Sequence, residues 1–314
     1  MTQRRYLLDG MHPFLQLLFL ASITLIASAS FTLLGMYLVR PLFGVTAIDT
    51  LTQSAIDNPE SIASNAAEVN ALKFLQFMAS FGTFIIPTLM FAFAKFPGGD
   101  FLRLNVRTPF LFAFLGILIL VSSTPFIDFT YEVNQMLKFP SFMSGMEKQI
   151  QDAENASDQL TLLFLKTPRK ADLGINLLVL AIIPAIGEEL MFRGCIQQLM
   201  KEWTKKIHVA VWVSAAIFSF VHFEFYGFLP RLLLGALLGY LFVWSGSLWI
   251  PIIAHAFNNG AQVVLAYLHE HHIIQFDVTS DNPLPVYLTI VATILCAAFI
   301  YAFRKLESRK RFIY

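Results

Sequence analysis

Eight stretches of nearly unbroken apolar residues alternate with short polar connections along the chain. They fall at residues 13–39, 71–96, 109–129, 173–200, 207–223, 228–245, 249–268 and 285–303. Crossing about 30 Å of hydrocarbon takes roughly 20 helical residues at about 1.5 Å each, a length these runs reach or approach. A helix satisfies its own backbone polar groups in lipid, so each run predicts a transmembrane helix. The strict alternation of outer-membrane barrel strands is missing. One connection, residues 131–172, is too long for a turn, and its apolar spacing at Met143, Met146, Ile150 and Ala153 predicts an amphipathic helix lying on the outer membrane surface. The expected fold class is therefore all-α: a polytopic membrane bundle of about eight transmembrane helices plus that amphipathic helix.

Polar positions outside the runs set the orientation. Arg4 and Arg5 precede the first run, and Lys95, Arg103 and Arg107 follow the second. Lys201, Lys205 and Lys206 follow the fourth, and Arg304, Lys305, Arg309, Lys310 and Arg311 follow the last. With eight spans all of these fall on one side, while Asp49, Asp57, Glu60, Glu68, Glu224, Glu270, Asp277 and Asp281 fall on the other. The excess of basic residues places both termini in the cytoplasm and the protein in the cell (inner or plasma) membrane. The first run is too long for a cleavable signal peptide and reads as a retained helix. Trp203, Trp244 and Trp249 sit at the cytoplasmic helix ends, as an aromatic belt requires.

Composition agrees with this pattern. Hydrophobic residues make up 56% of the 314 and charged residues only 14%, too few to cover a soluble protein of this size. Net charge is +1, so no overall field argues for nucleic acid as a partner; membrane lipid is the expected surroundings. The two cysteines, Cys195 and Cys296, each lie in an apolar run and read as small buried side chains, not a disulfide. Three parts follow: 1–172 with helices one to three and the long connection, a catalytic-looking core at 173–270 with helices four to seven, and 271–314 with an outer loop, the last helix and a basic tail.

The chemistry is carried by ionisable groups inside the apolar runs, where each charge costs roughly 2.5–3.5 kcal/mol unless partnered. The fourth run holds Glu188, Glu189 and Arg193. Glu189 and Arg193 are four apart and share a helix face, so an ion pair is expected. Glu188 lies about 100° around the helix from Glu189, so its partners must come from other helices or water. The fifth run supplies His222, and the seventh supplies His255 with Asn258 and Asn259. Counted from the cytoplasmic ends at about 1.5 Å per residue, Glu188, His222, Asn259 and His255 lie about 20, 24, 18 and 12 Å deep. That is compatible with one polar chamber inside the bilayer.

Glu188-Glu189-x-x-x-Arg193, Phe218-x-x-x-His222 and His255-x-x-x-Asn259, with Leu233–Tyr240 and Ser245–Trp249 between the last two, resemble the motifs of the CPBP intramembrane proteases. That family includes type II CAAX prenyl endopeptidases and bacteriocin-processing or bacteriocin-immunity proteins. The resemblance covers residues 174–267, about a third of the chain. It implies an intramembrane endopeptidase in which Glu188 activates water, His222 shares that water, and His255 and Asn259 stabilise the oxyanion, with Glu189, Arg193 and Asn258 supporting. The implied substrate is a membrane-embedded or lipidated peptide or protein. Two mechanisms stay open: a metal-free glutamate hydrolase that requires no cofactor, and a zinc enzyme using Glu188, His222 and His255. The latter is the ligand set of many catalytic zinc sites, though no H-E-x-x-H segment is present. A non-proteolytic immunity or scaffold protein of the same fold is the alternative from another class.

Overall fold

In the computed structural model, residues 7–96, 100–136, 139–166, 170–275 and 285–310 are described. Arg4, Arg5, Asp277, Asp281 and Arg311, used above for orientation, lie outside them. The described residues contain helices and no strand. The chain is an all-α polytopic bundle, with α1 at Pro13–Phe43, α4 at Ala66–Lys95, α5 at Phe110–Gln135, α7 at Ala171–Thr204, α9 at Phe228–Ser245 and α11 at Val286–Lys310. These six are the described helices long and apolar enough to span a membrane. Of the eight predicted spans the remaining two also form helices. α8 at Ile207–Phe220 has only 14 residues, and α10 at Trp249–Glu270 is less apolar because it carries His255, Asn258, Asn259 and Gln262.

Two short helices, α2 at Ile48–Asp57 and α3 at Pro59–Ala63, fill the first outer connection. Asn58 starts α3 by accepting the backbone N–H of Ser61, with Pro59 in the first helical position where no N–H is needed. The predicted amphipathic helix is α6 at Ser144–Leu165, packed on α2, α3 and α4. Its contacts correct the sequence reading in part: Met143 and Ile150 turn partly inward beside Glu147 and Glu154, Met146 and Ala153 are exposed, and the buried residues are Leu163 and Phe164 near the helix end. Packing to the protein comes from the last turns, which join Val39, Leu51, Ile62 and Leu72 in one apolar cluster.

Three stretches of wide π turn interrupt the long helices: Phe81–Ile85 in α4, and Leu177–Ile182 and Leu190–Ile196 in α7. Such insertions collect at functional sites because they re-aim side chains without ending the helix. The two in α7 flank Ile183–Glu189, the segment that carries both glutamates. Around α7 a large core gathers Phe91, Leu102, Phe192, Leu199, Phe218 and Leu248. A second core joins α5, α9, α10 and α11 through Phe112 and Phe303, whose rings meet edge to face at 4.9 Å. The outermost spans α1 and α11 are 11% buried over their most apolar windows, leaving faces for lipid.

The basic connections meet at one end of the bundle. Lys95 reaches Glu202 and Gln16, both at 2.7 Å. Arg103 donates to Gly246 O at 2.9 Å, and Trp249 Nε1 donates to Leu104 O at 2.9 Å. Trp203 packs on His12 and Phe14, and the Arg304 guanidinium lies 5.3 Å over Trp244. Glu224 of the 221–227 loop, with Glu147 and Glu154 of α6, lies at the other end. The two cysteines are free.

A buried glutamate–histidine–arginine cluster

Glu188 and Glu189 sit on α7 just before its second π segment, both buried. Arg193 is wholly enclosed and answers its charge three ways. Its Nη1 donates to Glu189 Oε1 at 2.7 Å, its Nη2 to Gly235 O of α9 at 2.9 Å, and the guanidinium lies 4.8 Å over the Phe218 ring. One turn further on, Gln197 Nε2 donates to Gly239 O at 3.1 Å, so α7 hangs two side chains on carbonyls of α9 four residues apart. Gly239 permits this approach, since a Cβ there would lie 2.8 Å from Gln197 Oε1.

From α10, His255 enters between the carboxylates. Its Nδ1 lies 2.9 Å from Glu189 Oε1, and its Nε2 lies 3.9 Å from Glu188 Oε2. Glu189, ionised beside Arg193, can only accept, so the His255 proton belongs on Nδ1 and Nε2 is left for Glu188 and the site. Glu188 thus finds its partner on another helix, as its position on α7 requires. The 3.9 Å gap is too long for a direct hydrogen bond.

The expected helical position of His222 is corrected. α8 ends at Phe220, and His222 stands in the turn beyond it, where Phe223 takes a left-handed φ of 55°. Its ring is held there by donation from Nδ1 to Phe218 O at 2.7 Å, which fixes the proton on Nδ1 and frees Nε2. Phe218 joins the three charged elements: its ring centroid is 4.9 Å from that of His222, 6.3 Å from that of His255, and it lies under Arg193. Glu224 also lies in this loop and pairs with Arg231 in the first turn of α9.

Asn259 lies one turn beyond His255 on α10 and is half-buried; its Oδ1 accepts from Asn258 Nδ2 at 3.4 Å. Of the four residues singled out in sequence, Glu188 and His255 are adjacent, His222 and His255 both meet the Phe218 ring, and Asn259 lies one turn further along α10 from His255.

Asn134 has no place in the sequence reading, which ends the third span at residue 129. It lies on the last turns of α5, buried, donating to Phe225 O at 2.7 Å and accepting from Leu229 N at 3.1 Å. With Tyr226, whose hydroxyl donates to Glu147 and whose N–H donates to Glu154, it pins the loop that carries His222. A polar residue continuing the helical face of the apolar run was the available signal.

The zinc set Glu188, His222 and His255 is not assembled as a coordination sphere: among the described residues no three His, Cys, Asp or Glu side chains are grouped to hold a metal ion.

Residues 170–261, which hold all of these groups, match the family model of type II CAAX prenyl endopeptidase Rce1-like proteins. The resemblance expected from the motifs is met over that segment. The uncharacterized protein YpbD of Bacillus subtilis (strain 168) is 29% identical over 84 residues, which is 26% of this chain and 40% of that protein. No solved structure matches.

Proposed function

We propose that this chain is an intramembrane endopeptidase that hydrolyses a peptide bond in a membrane-associated or lipidated peptide or protein. The observation that carries this reading is the placement of His255 between a free carboxylate, Glu188, and a clamped one, Glu189. Glu188 takes a proton from water held between its Oε2 and the His255 and His222 imidazoles; the resulting hydroxide adds to the scissile carbonyl. The tetrahedral oxyanion is met by Asn259 Nδ2, a donor of a type that gives about 10²–10³ in rate, and by His255 Nε2 while it shares the proton that Glu188 has taken from water. Collapse breaks the C–N bond, and the proton on Glu188 passes to the leaving amine. Glu189 and Arg193 hold His255 in one tautomer and do not touch substrate, and Asn258 sets Asn259 on its face of α10. The match to the Rce1-like model over residues 170–261 supports the reaction class.

The test is replacement of Glu188 by Gln, nearly isosteric and uncharged. Comparative N- and C-terminal proteomics of membranes from cells with wild-type and Glu188→Gln protein should show termini that vanish in the variant while the protein stays folded. Identical termini would sink the hydrolase reading and favour a scaffold or immunity role.

The reaction as written needs no metal. Cleavage should continue after exhaustive chelation and zinc-free purification; loss of activity restored by zinc alone would replace it with the metallo-mechanism.

A further inference from the structure

At the basic end, the start of α1 and the end of α7 leave between them a recess of about 430 Å3, lined by His12, Gln16, Glu202, Trp203 and Lys205 among others. Gln16 and Glu202 are already answered, since each accepts from Lys95 at 2.7 Å. The other three are donors with no acceptor among the described residues. His12 Nδ1 takes the N–H of Phe14 at 3.2 Å, which leaves the ring proton on Nε2. Trp203 packs edge-on against that ring at 5.8 Å and contributes its indole N–H. Lys205 contributes an ammonium that pairs with no carboxylate.

Lys205 also holds a left-handed φ of 58°, closing α7 through its N–H to Lys201 O at 3.0 Å. Glycine fills such a position without strain, and any side chain there is strained. A cation kept in that conformation, beside an indole and an imidazole N–H, has the chemistry of a phosphate receptor. The recess also continues onto the lipid-facing side of α1. Phe14 lies 5.6 Å from the Trp203 ring, Leu18 and Leu25 follow it on the same face one and three turns on, and all three are exposed. Pro13 opens the span, so the recess stands where headgroups meet hydrocarbon, the level that tryptophan favours.

The geometry points to a binding site for an anionic phospholipid. The phosphodiester takes the Lys205 ammonium and the N–H groups of His12 and Trp203, and an acyl chain lies along Phe14, Leu18 and Leu25. Because Lys95 cancels Glu202, the charge left in the recess is that of Lys205, and a headgroup of net negative charge such as phosphatidylglycerol is preferred to a zwitterionic one. Seated on both helices, the lipid staples the exposed first span to the helix that carries Glu188 and Glu189. This site is independent of the hydrolytic reading.

The test follows thermal unfolding of the full chain in nonionic detergent as phosphatidylglycerol, phosphatidylcholine or inorganic phosphate is added. Phosphatidylglycerol should raise Tm at concentrations where the other two do not. Lys205→Gly removes the cation and suits the left-handed turn, so its lipid-free Tm should be no lower than that of wild type, while the phosphatidylglycerol needed for the same rise should increase about tenfold. Trp203→Phe keeps the ring packing and should shift the requirement in the same direction. Lys206→Gln, next in the chain but outside the recess, should leave it unchanged. An equal rise with phosphatidylcholine, or with phosphate alone, would overturn the lipid assignment. An undiminished response in Lys205→Gly, or an equal loss in Lys206→Gln, would reduce the effect to diffuse attraction at the basic end and overturn the site.

Discussion

Arg193 has no route to water, so its charge must be answered inside the bundle. A fork of N–H groups can do this, since one branch takes a carboxylate, another a carbonyl, and the flat face covers a ring. Removing one partner of such a pair leaves the other charged and buried, at about 3–5 kcal/mol. Arg193→Leu should therefore lower stability by about that amount in detergent-solubilised protein, read as a fall in Tm, while Glu189→Leu combined with Arg193→Leu recovers much of it. Additive loss in the double variant would contradict the account. The pair itself was legible, because residues four apart on a helix are neighbours. The bond from His255 to Glu189 was not: 66 positions separate them, and only the folded path of the chain decides which of two adjacent carboxylates an incoming imidazole meets.

Helices, unlike single contacts, announce themselves by length, and each of the eight apolar runs coincides with a helix. Their ends were harder to read. The fifth run stays apolar through Phe223, yet α8 stops at Phe220, because a left-handed residue at 223 turns the chain and hydrophobicity says nothing about φ. The short α3 left its mark in capping chemistry, Asn58-Pro59, as the start of α4 did in Asn65. Crossing geometry is also written in single residues. A Cβ at Gly187 would lie 2.8 Å from the Cβ of Phe84 on α4, an atom next to the backbone that cannot swing aside. Gly187→Val should force α4 and α7 apart, destabilise by about 1–3 kcal/mol, and displace the adjoining Glu188. Thermal unfolding and peptide cleavage measured on the same preparation check this, and a variant with native Tm and full activity would show that the crossing has slack.

At the scale of the molecule, the scarcity of charge already dictated a membrane bundle, and the grouping of basic connections at one end followed from counting spans. What counting could not supply was how α6 docks. Apolar spacing pointed to Met143, Met146, Ile150 and Ala153; Met143 and Ile150 do turn partly inward, but they share that stripe with Glu147 and Glu154, to which Tyr226 of a distant loop offers a hydroxyl and an N–H. The paired bonds from Arg193 and Gln197 to Gly235 and Gly239 bear on how such a bundle can move. They act like two teeth of a key. Sliding α9 past α7 by one turn, about 5.4 Å, would bring Gly239 to Arg193 but set Val243 against Gln197, where its branched side chain obstructs the glutamine. A piston stroke between these two helices is thereby barred.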